Sequence, residues 1–326
     1  TYSLLSFILF YFCGKISYNL NLVDFPNKRK IHSKPTAYTG GILLSVILLF
    51  GIRLFDFANE NLNLIFSIGF LISIIGLIDD KYNLNTGGKL SLQIIPVFYL
   101  VVFEGLILTQ IGDYNYFRLE LGSFAIPFTS LCILLLINAF NYFDGMDGTL
   151  SFTSISVLAI LYFLVSDQNF QLFLIALSVP ISIFLCFNFS IFKLPKLFLG
   201  DSGSLLLGFI ISFSLIYLAN QNLIHPILLS WSIVIFVFEF LSINLIRLKR
   251  NKNLFMADKD HLHHILYIKT KSIFFTNFLI SLANIILFFI GYFCFLFMGA
   301  MTSLILFIFL FLIFFILRDK YSTIKN

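Results

Sequence analysis

The sequence predicts an all-α, polytopic integral membrane protein with about 10–11 transmembrane helices. Three observations carry that expectation. Only 11% of the 326 residues are charged while 59% are hydrophobic, and Phe alone occurs 44 times. With a mean hydropathy of +0.98, this is far too little polar surface for a water-soluble domain of the same length. Apolar runs such as Leu62–Ile78 and Leu92–Leu108 reach 17 residues, and none shows the two-residue alternation of barrel strands.

In chain order, the expected spans begin with Tyr2–Asn19, Gly41–Phe57, Leu62–Ile78, Leu92–Leu108 and Phe124–Ile137. Phe152–Val165, Phe170–Phe189, Ser204–Leu218, Leu223–Ile246, Ile273–Phe297 and Met301–Leu317 follow. No long soluble insertion or internal repeat interrupts them, so residues 1–326 read as a single transmembrane domain. Thr1 stands where an initiator Met would, and the N-terminus reads as truncated or processed. Cys13, Cys132, Cys186 and Cys294 lie singly in apolar runs, without metal or redox spacing, and read as small buried residues.

Of the 21 Lys and Arg residues, all but Arg53 and Arg118 fall in or beside the odd-numbered connections. The positive-inside rule therefore predicts cytoplasmic odd connections and an N-terminus outside. This use of the basic residues argues for the lipid bilayer as partner and against nucleic acid. The odd connections also hold every dense polar cluster, which points to one site on the cytoplasmic face.

Asp79-Asp80 follows the apolar "IIGLI". Two adjacent carboxylates at a helix C-terminus repel each other and the helix dipole, so a divalent cation or a phosphate-bound metal is the expected relief. A solvated helix end is the simpler alternative. "NAFNYFDGMDG" brings Asn138, Asn141, Asp144 and Asp147 near one helical face, while Gly145 and Gly148 predict unwinding. Non-helical backbone at this depth needs protein or a water-filled cavity beside it.

In "FLGDSGS", Asp201 and Ser204 open a span whose N-terminal amides suit a phosphate, or simply a helix cap. "DKDHLHH" carries His261, His263 and His264; no zinc spacing is present, and imidazoles beside a phosphate fit as well. "PNKRKIHSKPTAYTGG" offers Arg29, His32 and Lys34 as phosphate contacts besides their topological role. Glu239, ionisable and inside a span, is a functional candidate on that ground alone.

Together these clusters resemble the polyprenyl-phosphate N-acetylhexosamine-1-phosphate transferases, the family of the MraY translocases and the WecA and TagO enzymes. The resemblance covers nearly the whole chain, in order. "PNKRKIH…PTAYTGG" looks like the family's first cytoplasmic loop, and "DDKYNLNTGGKLSLQ" is similar to its paired-aspartate loop with Lys89 and Gln93 downstream. "NAFNYFDGMDGTL" resembles N-x-x-N-x-x-D-G-x-D-G-L, with Thr149 intruding before Leu150. "FLGDSGS" matches G-D-x-G-S, and "ADKDHLHH" the histidine motif. "HLHH" after Asp258 looks like the WecA and TagO branch, whereas Glu239 is closer to MraY-like sequences.

The resemblance implies an MraY-like fold and a bacterial plasma-membrane enzyme with a cytoplasmic site. Its reaction would be attack of undecaprenyl phosphate on a UDP-N-acetylhexosamine, releasing UMP and starting a surface glycopolymer of the O-antigen, capsule or teichoic-acid type. It implies Mg²⁺, replaceable by Mn²⁺, held by Asp201 with Asp144. Asp79, Asp80, Asp201, His261, His263 and His264 would be catalytic. Arg29, His32, Lys34, Lys89, Asn138, Asn141, Asp144, Asp147 and Ser204 would bind substrate. Phe-rich lipid faces leave room for a homodimer seam. An MraY-type phospho-MurNAc-pentapeptide transferase is the alternative. An intramembrane prenyltransferase and a secondary transporter are remoter ones, since neither the spacing of the acids nor their clustering on one side suits them.

Overall fold

The computed structural model describes residues 1–26, 34–55, 57, 59–114, 117–252 and 261–322; Arg29, His32 and Asp258 lie outside them. The helices are α1 (Tyr2–Asn19), α2 (Gly40–Phe55), α3 (Glu60–Tyr82), α4 (Thr86–Phe98), α5 (Ala125–Phe143), α6 (Thr149–Leu164) and α7 (Gln168–Asn188). They continue as α8 (Gly200–Asn220), α9 (Pro226–Ser232), α10 (Val234–Lys249), α11 (Leu262–Thr270), α12 (Ile273–Met298) and α13 (Ala300–Tyr321). Every expected span overlaps a helix; the fourth, Leu92–Leu108, takes in the end of α4 and a π-helix over Tyr99–Phe103, its last five residues not being helical, and the ninth is divided between α9 and α10 by a 77° bend.

Among the described residues, seven helices, α4 counted with its π-helical continuation to Phe103, are long and apolar enough to cross a membrane, and the bent α9–α10 pair makes an eighth. The others expected to cross are shorter or more polar. α2 and α6 have 16 residues each, so at 1.5 Å per residue they fall short of a hydrocarbon core of roughly 30 Å. Both lie largely inside the bundle, α2 against α1, α3, α7 and α8, and α6 against α7 and α12. Neighbouring helices, rather than lipid, therefore meet much of their length. Among the described residues the strands are confined to two antiparallel ribbons, Val23–Asp24 with Thr36–Ala37 and Gln110–Asp113 with Arg118–Glu120. These pair backbone groups in connections where no helix does so.

α8 is the axis of the bundle, buried throughout its apolar stretch and packed on α2, α3 and α5. The small residues of its first turn let neighbours approach backbone to backbone: Gly76 of α3 lies against Ser202, and Gly41 of α2 against Gly203. A Cβ at Gly76 would overlap the Ser202 backbone, the kind of contact that small residues permit between helices in lipid. Asp79 and Asp80, one turn beyond Gly76, are thereby delivered onto the N-terminus of α8.

The α9–α10 break frees backbone groups inside the protein, and Asn284 of α12 satisfies them. Its Nδ2 donates to the Ser232 carbonyl (3.0 Å) and to Ser156 Oγ (3.1 Å), and its Oδ1 accepts from the Ile235 N–H (3.3 Å). Such repair by a neighbouring helix is what lets a broken helix survive in lipid.

At the start of α9, His225 Nδ1 accepts the Ile227 N–H (3.2 Å). Its Nε2 lies 3.0 Å from the Asp113 carbonyl, to which it donates in that tautomer. A proton on Nδ1 would remove the cap, and burial holds the imidazole pKa below its usual value. A lowered histidine pKa supplies stability at neutral pH that is lost as the pH falls from about 6.5 toward the folded value. We expect the melting temperature of the purified protein to drop between about pH 7.5 and 5.5. His225→Asn, which keeps a cap acceptor but does not titrate, should flatten that dependence, and an equally steep decline in the variant would contradict the assignment.

Candidate active site

The polar clusters of the odd connections meet at one end of the bundle. The N-termini of α4, α6, α8 and α12 converge there with the C-termini of α3, α5, α10 and α13, joined by the contacts described below.

Asp201, in the first turn of α8, is the hub. Its Oδ1 accepts from Asn141 Nδ2 (2.8 Å), and the same amide nitrogen reaches Ser204 Oγ at 2.9 Å. Its Oδ2 accepts from Lys89 Nζ at 2.6 Å, and Lys89 lies 2.7 Å from Asp79 Oδ2. An ammonium thus sits between two carboxylates. Asp79 Oδ1 also accepts the Leu84 N–H (2.8 Å), holding the turn that follows α3.

Asp80 does different work. Its carboxylate accepts the Asp201 N–H (2.9 Å) and the Ser202 N–H (3.2 Å), capping α8 where the helix dipole favours a negative charge. Successive helical residues diverge by about 100°, so one acid of the pair faces Lys89 and the other faces the α8 backbone. The repulsion expected from the sequence is relieved by a lysine and two amides.

Asp144 ends α5 and faces Asp201. Burial, followed by the charges of Asp201 and Asp147, pushes its pKa up to about 8. Asp147 is paired with Lys196 at 2.6 Å. His263 is buried beside Gly145, where a Cβ would collide with its imidazole. Burial first, then His264, His261 and Arg318, hold its pKa well below the usual range, so the ring is neutral. Its Nε2 has no hydrogen-bond partner among the described residues. The His261 ring lies parallel to that of His263 at 5.6 Å and edge-on to Tyr142 at 5.3 Å, and His264 follows at 4.4 Å from His263.

Asn138 and Lys34 stand apart from the Asp201 constellation. Asn138 Nδ2 turns back to the Leu134 carbonyl (2.7 Å) and toward Gln93 Oε1 (3.4 Å), and Lys34 is exposed on the connection after α1. Glu239 is occupied elsewhere: Arg318 binds both its oxygens at 2.9 and 3.0 Å, and its Oε1 accepts the Leu262 N–H at 2.8 Å. It ties α13 and the start of α11 to α10, which seats the histidines. Lys196, Asn277 and Arg318 were missed as site-building residues. In the sequence Lys196 and Arg318 are merely basic residues of odd connections and Asn277 a polar residue within a span.

Among the described residues, no three His, Cys, Asp or Glu side chains converge closely enough to hold a metal ion by themselves. Two carboxylates do converge on one cation, the Lys89 ammonium. An apolar cavity of about 280 Å³ lies between α5, α8, α9 and α10, reaching from Leu108, Ile111 and Ala219 at the opposite end of the bundle to Ala139 and Phe240.

A sequence model of glycosyl transferase family 4 matches residues 62–219. A probable undecaprenyl-phosphate N-acetylglucosaminyl 1-phosphate transferase of Bacillus subtilis (strain 168) is 31% identical over 257 residues, 77% of this chain and 71% of the relative. The undecaprenyl-phosphate alpha-N-acetylglucosaminyl 1-phosphate transferase of Escherichia coli (strain K12) is 27% identical over 267 residues, covering 79% and 72%. That of Yersinia pestis is 26% identical over 270 residues, covering 81% and 74%.

Proposed function

This chain belongs to glycosyl transferase family 4, and we propose that it transfers a sugar-1-phosphate of the N-acetylhexosamine type from a UDP-sugar to undecaprenyl phosphate. The acceptor phosphate oxygen attacks the β-phosphorus, the bond to the UMP oxygen breaks, and a polyprenyl-diphospho-sugar remains in the membrane. The Asp79–Lys89–Asp201–Asn141 constellation, held at one end of a bundle of bilayer-length apolar helices, carries this reading. A lipid-borne phosphate and a water-soluble diphosphate can meet only at such a boundary. The relatives named above carry N-acetylglucosaminyl 1-phosphate in their names, which favours a small donor over a muramoyl-pentapeptide.

Phosphoryl transfer asks a protein mainly for positioning and charge neutralisation. Lys89 neutralises one phosphate group and aligns Asp79 with Asp201. Asn141 and Ser204 fix the Asp201 rotamer. Asp144 and the unwound backbone of residues 144–148 line the donor side, with His263 packed on Gly145 and His261 and His264 beside it. The orphaned His263 Nε2 is a natural partner for a phosphate or sugar oxygen. Asp201 with Asp144 would hold Mg²⁺, which suits a donor set of two carboxylates completed by substrate phosphate and water. The ion would supply charge neutralisation on the diphosphate. The basic bias of the same end supports a cytoplasmic site, in a bacterial plasma membrane, with the N-terminus outside.

The test is UMP release by purified protein across a panel of UDP-sugars with undecaprenyl phosphate. Release should require both substrates and a divalent cation, and should be fastest with a UDP-N-acetylhexosamine. Absence of UMP with every donor would overturn the reading.

A further inference from the structure

Thr149 departs from the family pattern at its position, and the structure supplies the reason. Its side chain is fully buried, and its Oγ1 donates to Oδ1 of Asn277, a fully buried residue near the start of α12 (2.7 Å). Asn277 Nδ2 in turn donates to the Asp147 carbonyl at 2.7 Å, across 130 residues of sequence. Both ends of the carboxamide are used, and both grip the connection between α5 and α6.

That connection has backbone groups that no helix satisfies, and buried carbonyls need partners. Gly148, at φ +75°, makes the turn between the two gripped residues. A Cβ there would lie 3.1 Å from Asn277 Nδ2 and 2.6 Å from the Phe189 ring, so the strap closes tightly over a bare glycine. Lys196 holds the Asp147 carboxylate from the other side. Asp147 is thus held at both carbonyl and carboxylate, three residues after Asp144.

We propose that Asn277, acting through Thr149 and the Asp147 carbonyl, is a positioning residue that sets the donor-side wall of the active site. The inference rests on the transferase reading given above. In that reading the strapped connection, which carries Asp144 and Asp147, meets the water-soluble donor. α12 lies beyond residues 62–219, the stretch that the family's sequence model matches. The wall is therefore held by an element outside that stretch.

The experiment compares Asn277→Leu, the near-isosteric Thr149→Val and the conservative Thr149→Ser in purified protein. A misplacement of about 1 Å at such a wall can cost on the order of a hundredfold. Asn277→Leu and Thr149→Val should raise KM for the UDP-sugar roughly ten- to a hundredfold, leaving KM for undecaprenyl phosphate nearly unchanged. Thr149→Ser should restore wild-type behaviour. Unchanged donor KM in both variants, or equal changes in both KM values, would overturn the proposal.

Hydrogen exchange of the amides of residues 144–149 separates this inference from the reaction it serves. Faster exchange there in Asn277→Leu, with α8 unchanged, upholds the strap; unchanged exchange contradicts it. If wild-type protein releases no UMP, the transferase reading fails, and the exchange result alone decides whether the strap exists.

Discussion

Asp201→Asn should reduce UMP release by at least a hundred- to a thousandfold, the loss of about 3–4 kcal/mol that follows removal of one charge-stabilising group from a preorganised site. The expectation comes from what converges on this carboxylate. Lys89 and Asn141 occupy its two oxygens at 2.6 and 2.8 Å, Asp80 fixes its backbone N–H, and Asp144 faces it. An amide in its place keeps the shape and loses the charge. It presents an NH₂ where Lys89 or Asn141 already donates, and the cation that bridges to Asp79 loses half of its counter-charge. The check is initial-rate UMP release with matched protein amounts and a melting curve showing that the variant is folded. Activity within about tenfold of wild type would remove Asp201 from the centre of the site.

The second large effect separates the two adjacent acids. Asp80→Asn should also lower UMP release by about a hundredfold, because it loosens the turn that carries Asp201. It should in addition lower the melting temperature, since an amide puts an NH₂ where one Asp80 oxygen accepts an α8 N–H, and an N–H left without its acceptor costs about 1 kcal/mol or more. Asp79→Asn should cost a comparable amount of activity through Lys89 while leaving the α8 cap intact. Activity falls in both variants, therefore, and stability falls chiefly in one. Equal melting temperatures for the two variants would show that Asp80 is not the cap seen here.

Much of this arrangement was legible in the sequence because its carriers are local. Runs of apolar residues marked every expected span, though those at Phe124–Ile137 and Phe152–Val165 are shorter than a bilayer needs, and Asp79, Asp80, Asn141, Asp144 and Asp201 stand in short strings where polar groups interrupt hydrocarbon. The division of labour between Asp79 and Asp80 was not legible, since it depends on the helical phase at which α3 meets α8 across Gly76. Asn138 was expected beside Asn141, but it lies one turn earlier and its amide satisfies a carbonyl of its own helix. Glu239 looked functional because ionisable groups in lipid usually are; its partner Arg318 is 79 residues away. Lys196 and Asn277 likewise act on Asp147 from distant segments. No local pattern announces such pairings, because burial and partner choice are tertiary facts.

The bend between α9 and α10 belongs to the same class. Its sequence reads as one apolar run, and Asn284 on another helix makes the break tolerable. The expected count of crossing helices also exceeded the number long enough to cross unaided, because α2 and α6 are packed by protein along much of their length.

The most direct measurement identifies what leaves and what stays when purified protein meets a UDP-N-acetylhexosamine and undecaprenyl phosphate. Sugar-phosphate transfer predicts UMP in solution, with an equimolar lipid whose mass has grown by one N-acetylhexosamine and one phosphate. Release of UDP with a lipid that has gained the sugar alone, or no new lipid at all, would contradict it.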